Sequence, residues 1–371
     1  MRKSLIIAAV VLVLAGLTTL PAFAGDPPGT EKTEQTVDVG VTVSSGTSSP
    51  PVVKAKWEAI WVDTNGDGVK DLDELIYDED PVAPGMQVLP PLVQDGTRQI
   101  CYFAVIWDPN GIGNIDPDRV YVDVYHPLNK WGDGSLKYQV KLNKVVLDPV
   151  NLPMYILHAN ANGGIITYDP AYNLDEVVAE LEQASALLFL AQKDISYHQP
   201  AGWYHVDAYA IDKEGSQSAM LPNDFEYVEG LSFDLDFTAL DFGTVEICSE
   251  KWIEGDKDMA LPGPSIKNLS NVWLNVGVHF DSMGFGYTNV DGVDRPNVVF
   301  DARLDLFDPV PPWDTPITNW QAFIEPCEEV WLPGHVALCN TEKLSFSIHV
   351  IKGTPGGVYR GQATIMVRAD P

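Results

Sequence analysis

The residues with the clearest chemical pattern run Asp63-Thr64-Asn65-Gly66-Asp67-Gly68-Val69-Lys70-Asp71-Leu72-Asp73-Glu74. Side-chain oxygens fall at the first, third, fifth, ninth and twelfth places, from Asp63, Asn65, Asp67, Asp71 and Glu74, and the carbonyl of Val69 is available at the seventh. Gly66 at the sixth place permits the sharp turn that wraps such a run round a hard cation, and this set of oxygen donors suits Ca2+. An Asx-rich turn without an ion uses the same residue types. Lys70 stands where such loops carry an apolar residue, and Ala55 to Trp61 upstream alternates like a strand rather than an entering helix. The expectation is therefore a structural Ca2+ loop between strands, binding weakly, on the order of 10⁻⁴ to 10⁻³ M, and filled by extracellular calcium.

Other reactive side chains form no such pattern. The four cysteines are Cys101, Cys248, Cys327 and Cys339, with no CxxC spacing for zinc. In an exported chain an even count favours disulfides; Cys327 with Cys339 closes a short loop and is the preferred pair, while the pairing of Cys101 and Cys248 stays open. Seven histidines are scattered without HExxH, and neither a GxSxG nucleophile nor a phosphate-cradling glycine loop occurs. His205 and His349 fall on the polar faces of their strands and read as exposed. No carboxylate pair is marked among 52 acidic residues, so a noncatalytic protein is expected, with a hydrolase of unmarked carboxylates as the remaining enzyme reading.

Of the ten tryptophans, Trp57, Trp61 and Trp107 read as strand packing, whereas Trp313, Trp320 and Trp331 lie in a Pro-rich loop from Asp308 to Pro333. Those three are candidates for contact with a partner or an extracellular glycan, with packing between domains as the competing account. Asn268-Leu269-Ser270 is an N-glycosylation sequon.

The compartment follows from the N-terminus. Arg2 and Lys3 precede an apolar run from Leu5 to Ala15, and Ala22-Phe23-Ala24 offers a cleavage site, so residues 1–24 read as a signal peptide and the mature chain begins near Gly25. A leader retained as an anchor is the alternative. The formal charge of −29 repels phosphate backbones and attracts divalent cations, which speaks against nucleic acid as a partner.

These features must be positioned by strands. Residues 25–51, rich in Gly, Pro, Ser and Thr, read as a flexible linker. Beyond them, apolar alternation recurs between turn signals, as in Val53 to Trp61, Ile100 to Trp107, Arg119 to Tyr125, Leu136 to Leu142 and Trp203 to Ile211. Phe233 to Phe237, Val272 to Phe280, Val298 to Leu306, Leu344 to Val350 and Val358 to Val367 continue it. Leu174, Val177, Val178, Leu181, Ala184, Leu187, Leu188 and Leu190 recur at helical spacing and predict one amphipathic helix over 174–193. The polar stretch from Pro222 to Gly230 marks a boundary, giving an all-β chain of two sandwiches in tandem, 52–230 and 231–371.

Pro200-Ala201-Gly202-Trp203-Tyr204 and Pro355-Gly356-Gly357-Val358-Tyr359 each place a Gly ahead of an inward Tyr. Both resemble the late strands of immunoglobulin-like and fibronectin-like sandwiches in prokaryotic, archaeal-looking surface proteins, and Trp107-Asp108-Pro109-Asn110-Gly111 resembles a strand-ending turn found earlier in them. Gly255-Asp256 with Ile266-Lys267-Asn268-Leu269-Ser270-Asn271 is similar to camelysin-like and biofilm-fibre proteins, and the Asp63–Glu74 loop resembles those of EF-hands, dockerins and thrombospondin type 3 repeats. The resemblance implies an extracellular, noncatalytic component of an envelope layer, fibre or adhesion assembly, with other surface proteins or its own copies as partners. A polysaccharide-binding module is the alternative.

Overall fold

The computed structural model describes residues 49–64, 66, 71–80, 82–91, 96–128, 132–290, 292–305 and 320–370, all within one compact unit, Ser44–Pro371. The expected signal peptide and nearly all of the expected linker lie outside the described residues.

The first sandwich uses β1 (Val52–Trp61), β2 (Leu75–Ile76), β3 (Met86–Val88), β4 (Thr97–Trp107), β5 (Ile115–Tyr125), β6 (Leu136–Lys141), β7 (Asn143–Lys144), β8 (Thr167–Tyr168), β9 (Ala186–Ser196), β10 (Gly202–Asp212) and β11 (Leu221–Tyr227). One sheet runs β2-β1-β4-β9-β7, with β8 also on β1, and the facing sheet runs β3-β11-β10-β5-β6. Tyr102, Phe189, Tyr204 and Phe225 fill the space between them. The outer face of the first sheet is covered by α1 (Met154–Ala161) and α2 (Leu174–Glu182), whose Ile156, Val177 and Leu181 pack on Trp57 and Phe103. Those two rings stack at 4.9 Å and 3°. A sheet covered on both faces needs apolar residues on both, which is why Ile100 to Ile106 is buried without interruption.

The same rule corrects the expected helix over 174–193. α2 has the capping box that Asn173 and Glu176 encode, but it ends at Glu182, and Ala184 at φ 52 turns the chain. Residues 186–196 instead form β9, paired along its whole length with β4. Leu187 and Phe189 face the inter-sheet core and Leu188 the helix layer. A strand buried on both faces and an amphipathic helix share the same Leu-rich composition, and helical spacing does not separate them.

The second sandwich comprises β12 (Phe233–Leu235), β13 (Ser249–Ile253), β14 (Ser265–Asn268), β15 (Leu274–Phe280), β16 (Tyr287–Val290), β17 (Val293–Pro296), β18 (Val298–Asp305), β19 (Trp320–Ile324), β20 (Glu329–Trp331), β21 (Thr341–Val350) and β22 (Ala363–Ala369). Its larger sheet is β12-β14-β21-β18-β19 with β13 also on β21; its smaller one is β20-β15-β22, and β16 and β17 make a hairpin. Phe280 stacks on Phe300 at 4.2 Å in its core, beside Phe346. The Pro- and Trp-rich loop, expected as a surface excursion, contributes a strand to each sheet through β19 and β20; its residues 306–319 lie outside the described ones.

Asn271 pins the chain between the two sets of strands. Its side chain accepts from the Gly230 N–H at 2.7 Å and donates to the Val228 carbonyl at 2.7 Å, and its own carbonyl accepts from Ala201 at 2.8 Å.

Candidate functional site

Of the loop expected to hold calcium, Asn65, Asp67 and Val69 lie outside the described residues. Asp63 Oδ1 accepts from the Gly66 N–H at 2.6 Å, the Asx-turn bond that starts such a loop. Asp71 precedes a single helical turn, Leu72–Glu74. Glu74 is buried, and its carboxylate accepts from the Thr64 N–H and hydroxyl, both at 3.0 Å, and from Trp61 Nε1 at 3.2 Å. Thr64 and Glu74 thus close the run at its two ends. The sheet holds that closure, because Val62 donates to the Glu74 carbonyl at 3.1 Å and β2 pairs antiparallel with β1.

Three other expectations are corrected. Asn268 is fully buried, and its amide nitrogen donates to the Val272 and Val336 carbonyls at 2.8 and 2.9 Å, so this nitrogen is inaccessible for glycosylation in the folded chain. Cys327 and Cys339 are exposed and are not disulfide-bonded. Cys327 donates its N–H to the carbonyl of Phe280, at one end of β15, whereas Val336, just before Cys339, bridges Leu274 at the other end. The segments that carry the two cysteines are thus tied to opposite ends of β15, a seven-residue strand about 20 Å long.

His349, expected to be exposed, is mostly buried, with Nε2 2.6 Å from Asp301 Oδ2 and Nδ1 3.2 Å from Glu250 Oε2. Burial alone would lower its pKa, but the hydrogen bond and charge of Asp301, helped by Glu250, outweigh it and raise the pKa above the ordinary value. Ser347 Oγ lies 3.0 Å from the same Nε2, an arrangement superficially like a nucleophile and its base. Asp301 occupies that nitrogen more closely, and Ser347 is fully buried, so the cluster ties β13, β21 and β18 together and has no path to a substrate.

Of the loop tryptophans, Trp313 and the side chain of Trp320 lie outside the described residues. Trp331 packs on Gly277, where a Cβ would lie 3.1 Å from its ring, and carries the Arg368 guanidinium at 4.1 Å on its face. Trp203 and Trp252, which the sequence did not single out, are each exposed by more than two-fifths.

A concavity lies in the second sandwich. Its smaller sheet is short of strands, and among the described residues β22 pairs only with β15, leaving its other edge open. Beside that edge runs a groove of about 1090 Å³. Phe237, Leu240 and Phe242 line one side, Ile365 and Tyr359 the other, and Phe280 the floor. Most of these apolar side chains are only half-buried, although they pack on the core. Tyr359 Oη donates to the Pro355 carbonyl at 2.6 Å, as Tyr204 Oη does to Pro200 at 2.9 Å, so both Gly-Tyr motifs form the same corner. Tyr204 sits inside β10, whereas strand pairing after Tyr359 begins only at Ala363. In the sequence, Val37, Val39, Val41 and Val43 alternate with Asp38, Gly40 and Thr42, a strand-like pattern inside the segment read as a linker.

No family model matches the chain. No curated protein matches it either. Among solved structures it is similar to the C-terminal domain of the Streptococcus pyogenes antigen I/II-family protein AspA, at 12% identity and a TM-score of 0.20, covering 86% of this chain and 97% of that one. The Streptococcus agalactiae AgI/II polypeptide BspA C-terminal domain gives 9%, 0.21, 86% and 96% in the same order. The CsuC–CsuE chaperone–tip adhesion subunit complex of Acinetobacter baumannii gives 9%, 0.23, 76% and 96%.

Proposed function

We propose that this chain is an exported, noncatalytic component of a cell-surface assembly, and that it joins copies of itself by strand addition. The carrying observation is the edge of β22, open among the described residues, beside an apolar groove. Unpaired backbone groups along an edge accept an extended segment, and alternate side chains then fill the adjoining pockets. The occupant is residues 36–44 of a neighbouring copy, whose four alternating valines fit one face of such a strand. The test compares the mature chain from Gly25 with one starting at residue 49, by analytical ultracentrifugation and electron microscopy over a concentration series. Association of the first and not the second, blocked by excess peptide 36–44, is expected. Monomers in both, with no binding to envelope material, would overturn the reading.

Ca2+ has a supporting role in this proposal: bound by Asp63, Asn65, Asp67, the Val69 carbonyl, Asp71 and Glu74, it would stiffen the turn that feeds β2. Its test is a rise in melting temperature with calcium that the Asp63→Ala and Asp67→Ala double variant loses. The polysaccharide-binding alternative has less support, because Trp331 already has both Gly277 and Arg368 packed against it.

A further inference from the structure

Lys56 and Glu58, two residues apart on β1, are both buried, at 0% and 3% exposure, in the wall of the first sandwich. Lys56 Nζ donates to the Val206 carbonyl of β10 at 2.6 Å and lies 3.5 Å from Glu58 Oε1. The other oxygen of Glu58 accepts a hydrogen bond from the side-chain amide of Asn223, on β11. Val206 and Asn223 face each other in the β10–β11 ladder, so the lysine's carbonyl partner is the residue opposite the asparagine. Asn223 Oδ1 is buried with no hydrogen-bond partner, as is Glu58 Oε1 apart from its ion pair with Lys56. An amine, a carboxylate and a carboxamide are thus gathered in a dry site, two of them with unspent polar atoms.

As a purely structural device this cluster is poor. Burying an ion pair costs several kcal/mol per ion, and apolar residues of similar volume commonly do as well or better. The surroundings also disfavour charge: burial pushes the Lys56 amine down from its ordinary pKa, against the opposing pull of Glu58, Asp207 and Asp224. A proton passed from Lys56 to Glu58 leaves a neutral amine and a neutral acid, the two forms that a reaction with an amide requires.

We propose that Lys56 and Asn223 become joined by an intramolecular isopeptide bond, with Glu58 as the proton carrier. The neutral Nζ attacks Cγ of Asn223, and negative charge gathers on Oδ1. Glu58, already bonded to Nδ2, gives its proton to that nitrogen as the Cγ–Nδ2 bond breaks, and recovers one from the attacking nitrogen. One N–C bond forms, one N–C bond breaks, and ammonia leaves. No oxidant, cofactor or second substrate is consumed. The fold supplies what an amine and an amide lack in water: fixed proximity and exclusion of solvent.

The intact mass of the purified mature protein under denaturing conditions tests this. The wild type is expected to be lighter than its sequence by one ammonia, and proteolysis should yield a branched peptide joining Lys56 to Asn223. Lys56→Arg, Glu58→Gln and Asn223→Ala should each restore the full mass and abolish the branched peptide. In Asn223→Asp the same bond would form with loss of water instead. Because the masses are read on denatured chains, a poorly folding variant does not obscure the wild-type result. A wild type of full mass, or one whose missing ammonia maps to a succinimide at an Asn-Gly step with Lys56 and Asn223 in separate peptides, would overturn the proposal and leave a structural ion pair.

Discussion

The two sandwiches use one device, the Pro-x-Gly-x-Tyr corner, and finish it differently. In the first, Tyr204 enters a long strand paired on both sides; three of the four sheet edges carry two- and three-residue strands, β2, β7 and β3, too short to template another chain, and the fourth, the six-residue β6, carries Lys137 and Lys141, charges that discourage strand addition. In the second, Tyr359 stacks on Phe285 at 4.1 Å outside any strand, and the seven-residue β22 stands alone at the edge of a three-stranded sheet. Among the described residues, one region blunts its edges with short strands and lysines; the other keeps one beside exposed apolar surface. Completeness, rather than fold type, separates them.

That contrast breaks most severely if the first core is opened. Trp57→Ala removes a fully buried ring stacked on Phe103 and should cost about 3–5 kcal/mol, seen as a lowered melting temperature of the first sandwich with little change in association. Tyr204→Phe leaves the Pro200 carbonyl without its donor and should cost about 1–3 kcal/mol, against about 0.5 kcal/mol for Tyr359→Phe at its more open corner. Equal costs in a denaturant titration would mean that the two corners are equally closed.

His349 sharpens the comparison through pH. Its pKa in the folded state lies above the ordinary value, so its contribution is full below about pH 6.5 and is lost as pH rises through the folded pKa. Stability measured from pH 5 to 8 should fall by on the order of 1 kcal/mol and His349→Gln should flatten that slope. The smallest effect on folding is expected from Val358→Asp, an exposed residue on the groove, within about 0.5 kcal/mol, while association of the mature chain should weaken.

Much of the strand order was legible because strands with one wet face announce themselves by alternation, as at Val206 to Ala210 and Val276 to Phe280. Layering was not. Lys54, Lys56 and Glu58 alternate with Ala55 and Trp57 as though one face of β1 were wet, yet β1 is buried on both. Lys54 resolves its burial by pairing with Glu180 of α2 while its ammonium lies over Trp107 and Tyr172, at 4.4 and 4.0 Å. Such solutions depend on partners more than a hundred residues away, which a local pattern does not encode. The sequon at Asn268 misled for a related reason: three residues name a modification, but burial decides whether it can be reached. The valines at 37 to 43 were readable from the start, but they became informative only beside an unfilled edge.

The position of Asn223 has a mechanical consequence. β1 opens the first sandwich and β11 closes it, and the two meet through Glu58 and Asn223 across 165 positions of chain. If the chain serves in the proposed assembly, tension on it would enter at the first of these strands and leave at the second. A tie between them, ionic or covalent, carries the load straight across and leaves the intervening strands slack. The strength of the link would then be set by that one contact, and the second sandwich would be the part that stretches.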